Sequence, residues 1–155
     1  MQIIDTKVLD ALSQAARRSP RLRKNHNLHK SELSACHRLF NAVEPGSYIR
    51  PHRHLDPEKD ETLVIVRGSL GIVSFDDAGA VTRSARLCVS GDQVAADIAH
   101  GVYHTAISLV SGTVFFETKT GPYLPLSEQE LAGFAPAEGS HEAASYLERL
   151  GELFR

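Results

Sequence analysis

Gly46-Ser47-Tyr48-Ile49-Arg50-Pro51-His52-Arg53-His54, with Glu61-Thr62-Leu63-Val64-Ile65-Val66-Arg67-Gly68 seven residues further on, is the stretch on which the reading of this chain turns. On an extended backbone residues i and i+2 point to the same side, so His52 and His54 project two imidazoles together while Arg53 points away. Imidazole is a good ligand for zinc, iron, nickel and copper, whereas manganese prefers more oxygen. The chain holds eight histidines, so a His-x-His alone is weak evidence and needs its context.

Outward from this stretch the texture is that of a β protein. Between residues 35 and 121, short β-branched or alternating runs alternate with glycine-containing turns such as Glu44-Pro45-Gly46-Ser47, Asp76-Asp77-Ala78-Gly79 and Ser90-Gly91-Asp92. Such spacing marks a sandwich or barrel. Strands are predicted near 36–43, 47–51, 62–67, 70–75, 84–89, 93–97, 104–110 and 113–118. Before them, Val8, Leu9, Leu12, Ala15 and Ala16 follow a helical period from an Asp5 N-cap. After them, Ser127 and Glu130 form a capping-box pair opening a short helix, and Ser140 is placed to cap a last helix carrying Leu147, Leu150 and Phe154 on one face. The organisation expected is a helix and basic arm over 1–34, a β-barrel over 35–124 and a helical extension over 125–155, all in one structural domain.

The composition is that of an ordinary globular protein, with 155 residues, 42% hydrophobic and 23% charged, and a net charge of −2. No basic excess points to nucleic acid. No window approaches the ~18 apolar residues of a membrane span. The N-terminus lacks an apolar signal core, so the cytoplasm is the expected address. Cys36 and Cys88 are too few for a zinc site of their own and have no CxxC spacing.

The spacing Gly46-x5-His52-x-His54-x6-Glu61-x6-Gly68 resembles the first motif of the cupin superfamily, and Gly101-x2-His104 resembles the core of its second. The resemblance implies a single cupin barrel, a double-stranded β-helix or jelly roll of mainly β class. It further implies one divalent transition metal (zinc, iron, nickel or manganese) held by His52, His54, Glu61 and His104. The gap from His54 to Glu61 is longer than in most cupins, and Glu58 stands at the commoner spacing. The strand and glycine register nevertheless follow Glu61. In the second motif Ala99 stands at the usual proline and Ser108 at the usual asparagine.

A narrower resemblance covers nearly the whole chain. Arg23-Lys24-Asn25-His26-Asn27-Leu28-His29, Arg38, Asn41-Ala42, Pro51-His52-Arg53-His54, Gly121-Pro122-Tyr123 and Phe134-Ala135-Pro136-Ala137-Glu138 are similar to the WbuC family of cupin-fold metalloproteins. Members are often associated with bacterial surface-polysaccharide gene sets, which implies a small, polar or anionic substrate such as a sugar or nucleotide sugar.

Four protein ligands leave room for a further ligand on the metal, so the expected role is a metal-dependent enzyme; non-catalytic capture or sensing of a small molecule is the rival. Glu117 and Tyr48 are the candidate acid–base groups. Arg38 and Asn41, in the strand predicted at 36–43, and Arg23, Asn25, Asn27 and His29, on an arm expected to fold over the barrel opening, are the candidate substrate contacts. Arg38 is read either as inward-facing or as turned to solvent or paired with Glu117. Between Arg17 and Lys24 lie five basic residues, either a solvated face or an anion-binding arm. His26, His37, His100 and His141 are read as ordinary surface or packing residues. Thr105, Ile107 and Leu109 would form an apolar outward face, covered by the terminal helices or by a second subunit. Resemblance to cupins favours a homodimer.

Overall fold

A computed structural model describes residues 1–155. Its elements are α1 (Thr6–Arg18), β1 (Arg23–Asn27), β2 (Cys36–Val43), β3 (Glu61–Arg67), β4 (Ser69–Phe75), β5 (Val81–Cys88), β6 (Ala95–Ile98), β7 (Tyr103–Ser108), β8 (Thr113–Thr120) and α2 (Ala143–Gly151), followed by a 3-10 turn over Glu152–Phe154. The strands form two antiparallel sheets, one in the order β1-β2-β8-β3-β6 and one in the order β5-β4-β7. No continuous ladder closes them into one barrel, because β5 and β6 end their respective sheets.

Strand alternation distributes the side chains into three layers. Leu63 and Ile65 of β3, Leu70 and Ile72 of β4, Leu87, Ile98, Ala106 and Phe115 meet between the sheets. The opposite faces of β4 and β7 carry Val73, Phe75, Tyr103 and Ile107, which pack under Leu150 and Phe154 from the C-terminal end. Leu9, Leu12 and Ala16 of α1 cover Ala42 and Val114 on the outside of the larger sheet. β7 is buried at every position because both its faces are covered. Ile107 lies inside this second layer and Leu109 packs against it, so of the two covers considered for this face the chain's own C-terminal end supplies the one over these residues. At Gly71 the aromatic ring comes so close that a Cβ would lie 2.6 Å from Phe154.

The Asp5 cap forms as expected, its carboxylate accepting from the Val8 N–H at 3.1 Å. Four expectations fail for identifiable reasons. No strand ladder forms over 47–51; Pro51 lacks an N–H, and only His52 makes isolated pairings, with His104 and Leu131. The basic arm is the edge strand β1, hydrogen-bonded to β2 with Asn25 opposite Asn41. Ser127 does reach the Glu130 carboxylate, through N at 2.9 Å and Oγ at 2.8 Å, but Leu131 at once pairs with His52 and the turn cannot grow into a helix. The last helix starts at Ala143 after Glu142, with no side-chain cap, so Ser140 does not cap it. No helix is long and apolar enough to cross a membrane.

Candidate metal centre

The His52–His54 segment is held on both sides. On one side His52 exchanges backbone hydrogen bonds with His104 on β7, at 3.0 and 2.8 Å. On the other, the Ala132 N–H donates to Pro51 O and the Arg53 N–H to Glu130 O. Arg53 points away from its neighbouring histidines, as alternation requires, and its guanidinium lies 4.3 Å from the Tyr103 ring centroid. Glu61 opens β3 on the sheet's inner face, across from Lys119 of β8.

These elements bring ligand atoms of His52, His54 and Glu61 within 4.8 Å of one another. His54 Nε2 lies 2.9 Å from Glu61 Oε2. The His104 ring centroid is 4.7 Å from that of His52, and its Nε2 is 3.6 Å from Glu61 Oε2, beyond hydrogen-bonding distance. The ring orientations are fixed from behind, since His52 Nδ1 contacts Arg50 O at 3.0 Å and His104 Nδ1 contacts Val102 O at 2.9 Å. A carbonyl only accepts, so each neutral ring carries its hydrogen on Nδ1 and presents a bare Nε2. His104 Nε2 is buried with no hydrogen-bond partner. An orphaned imidazole nitrogen beside two more histidines and a carboxylate is the donor chemistry of a divalent transition-metal site. Glu58 is exposed in the preceding turn, so the carboxylate at the cluster is that of Glu61.

Burial, with His104 nearby, pushes the His52 pKa down to about 3, which keeps it neutral. Burial also opposes charge on His104 and on Glu61, but their mutual attraction wins, raising the first; the Lys119 ammonium helps hold Glu61 well below the usual carboxylate range. Lys119 Nζ stands 3.4 Å from Glu61 and 2.7 Å from Glu117. Glu117 also accepts from Asn41 Nδ2 at 2.8 Å, and its pKa is raised by burial and by the Glu61 charge. A continuous polar chain therefore runs from Glu61 through Lys119 and Glu117 to Asn41.

That chain opens into a cavity of about 370 Å³ whose lining includes Asn25, Asn27, His29, Asn41, Glu117 and Lys119. Of the residues singled out in the sequence, the cavity thus gathers Asn25, Asn27, His29, Asn41 and Glu117. Arg38 is excluded, because it alternates to the outer face of β2 and is exposed. Arg23 and Arg21 both clasp the Glu138 carboxylate, at 2.8 and 2.7 Å, and tie β1 to the C-terminal extension. Tyr48 donates its hydroxyl to Pro136 O at 2.8 Å and packs edge-on against Tyr146, a packing position outside the cluster. Lys119 is the site residue that sequence reasoning misses. The predicted strand stops at 118, although the alternation Phe115, Glu117, Lys119 places it on the inner face. His37, expected to be an ordinary surface or packing residue, is buried, stacks on His29 at 4.0 Å and lines the same cavity.

Comparison with known structures bears on the fold. Similar folds include KdgF from Halomonas sp. (14% identity, TM-score 0.51, covering 66% of this chain and 82% of that one). Protein TT1209 from Thermus thermophilus is 20% identical, with a TM-score of 0.53 over 77% of this chain and 97% of that one. An oxalate oxidase in complex with the substrate analogue glycolate is 12% identical, with a TM-score of 0.52 over 68% of this chain and 54% of that one. KdgF and oxalate oxidase are cupin-fold proteins, and this chain has the cupin fold. It belongs to the family described as a domain of unknown function, DUF6016, whose model matches residues 4–87. No curated protein matches the sequence.

Proposed function

We propose that this protein is a metal-dependent cupin in which His52, His54, Glu61 and His104 hold one divalent transition metal, and that it acts on a small polar or anionic metabolite bound in the adjoining cavity. The observation that carries the reading is the buried, unpartnered Nε2 of His104 beside His52, His54 and Glu61. A bound metal of this kind supplies Lewis-acid polarisation of an oxygen ligand. The chain's own residues supply the rest. Glu117, its proton affinity raised by burial and fixed in place by Asn41 and Lys119, is suited to take or give a proton at its carboxylate. Lys119 offsets one of the two carboxylate charges.

The amides of Asn25, Asn27 and Asn41 offer neutral donors and acceptors together, which suits a hydroxyl-rich molecule. This supports a sugar or nucleotide sugar, as the WbuC resemblance implies. Proteins of similar fold include KdgF and oxalate oxidase, but at these identities the likeness carries the fold and not their chemistry.

Elemental analysis of wild type beside His104→Ala tests the metal. About one equivalent of transition metal in wild type, lost in the variant, is expected; wild type that takes up none after soaking refutes the reading. A screen of sugar phosphates and nucleotide sugars then separates turnover, abolished in Glu117→Gln, from ligand-dependent stabilisation without product.

A further inference from the structure

The two sheets part company between β5 and β6. At the last residue of β5 the Cys88 N–H donates to Gln93 O at 2.9 Å, and no ladder continues between the strands. The gap is a slot of about 670 Å³ that runs inward to His104. Ile72 of β4, Ala85 and Leu87 of β5, Ala96 and Ile98 of β6, and Val102 line it, while Arg83, Asp92 and Asp97 also border it. Ala85, Ala95, Ala96 and Ala99 are the small residues among the apolar ones. The polar cavity with Asn41 and Glu117 is separate; its lining shares no residue with the slot.

We propose that this slot binds the alkyl or aryl group of a small amphiphile whose polar head lies at the histidine–glutamate cluster. Its size falls within the ~300–1,000 Å³ of small-molecule sites. Apolar walls give water few hydrogen bonds, so hydrocarbon displaces it favourably. His104, 4% exposed and the one residue of the histidine–glutamate cluster in the lining, connects the slot to that cluster, and its Nε2 has no hydrogen-bond partner. A purely hydrophilic metabolite would leave these walls unused. The location of the head rests on the metal reading of the preceding section; the seat of the tail rests on the slot alone.

The test is calorimetry on zinc-loaded protein with the monocarboxylates acetate, butyrate, hexanoate and octanoate, zinc binding being measured separately on the same preparation. Affinity is expected to rise about fourfold for each methylene buried. Ala96→Phe should flatten the series while zinc affinity stays unchanged, and Ala85→Leu serves as the second variant should the first misfold. Zinc binding with a flat series in wild type overturns the slot and leaves the metal reading standing.

Should zinc not bind, the metal-free protein is titrated with the primary alcohols from ethanol to 1-octanol, observed through isoleucine methyl NMR. Chain-length-dependent shifts of Ile72 and Ile98, lost on substitution, support the slot. Shifts centred instead on Ile107, which lies in the layer under α2, or none at all, overturn it.

Discussion

Replacing Lys119 by methionine removes the one cation between two buried carboxylates and should be costly. Its Nζ lies 2.7 Å from Glu117 and 3.4 Å from Glu61. At an effective dielectric near 20 these contacts are worth roughly 5–6 kcal/mol each in Coulomb terms, against a desolvation cost of several kcal/mol for the ammonium. Breaking a buried pair from one side typically costs about 3–5 kcal/mol. The Lys119 side chain is 20% exposed, so about 3 kcal/mol is expected for metal-free protein at pH 8.

The sign with pH follows from the carboxylates. Lys119 is raised by Glu61 and Glu117 against the effect of burial, so its own charge is constant between pH 5 and 8. Glu61 is depressed, so the stability it gains from its partners is present above the ordinary carboxylate range and lost as pH falls. Without the lysine both carboxylates protonate more readily, and the deficit should shrink as pH is lowered from 8 to 5. Urea denaturation in the presence of chelator, followed by circular dichroism at both pH values, measures it. A deficit under about 1 kcal/mol at pH 8, or one unchanged at pH 5, would show that Lys119 does not compensate these charges.

Three further outcomes are expected. Glu138→Gln should cost about 1–2 kcal/mol after discounting for a carboxylate that keeps a third of its surface; since Arg21 and Arg23 hold its pKa down at about 2, the loss should fade in urea titrations as pH drops from about 4.5 toward 2. Gly71→Ala should cost about 1–3 kcal/mol by driving a Cβ into the Phe154 ring, and Phe154→Leu on the same background should recover part of the loss in thermal melts. Zinc at 100 times its Kd should stabilise wild type by about 2.7 kcal/mol and leave His104→Ala unmoved, read as a shift in the urea midpoint.

Most strands were legible because their side chains obey a period of two and their turns carry glycine. The fold's departures arise where a long-range contact overrides local pattern. β1 is polar throughout and gives no hydrophobic alternation; it is a strand because its backbone pairs with β2, the next strand along the chain. Ser127-x-x-Glu130 forms the local hydrogen bonds of a helix start, yet the next residue is taken by His52. At the site, His52 and His54 were legible from spacing, whereas choosing Glu61 over Glu58 needed strand register. The inward turn of Asn41 and the outward turn of Arg38 depend on the phase of β2, which no single residue reveals. The fate of the basic run was invisible for a similar reason: Arg21 and Arg23 find Glu138 only because the C-terminal extension returns to β1.

The same extension bears on the centre itself. The segment from Arg50 to Leu55 has β7 on one side only, and a bare edge carrying a proline would hold two imidazoles poorly. Residues 130–132 supply the missing side. Glu130 O accepts from the Arg53 N–H, Ala132 donates to Pro51 O, the Glu130 carboxylate accepts from the Leu55 N–H, and Arg50 donates to Ala132 O. Ala132 and Ala135 are in turn anchored beneath Leu150 and Phe154. The helical tail is thus coupled to the placement of His52 and His54 through hydrogen bonds that involve neither imidazole. The family match over residues 4–87 includes His52, His54 and Glu61, while His104 and the buttressing turn lie beyond it. The proposed four-residue centre would therefore draw on both halves of the chain, the first presenting His52, His54 and Glu61 and the second supplying His104 and the turn that braces the histidine segment.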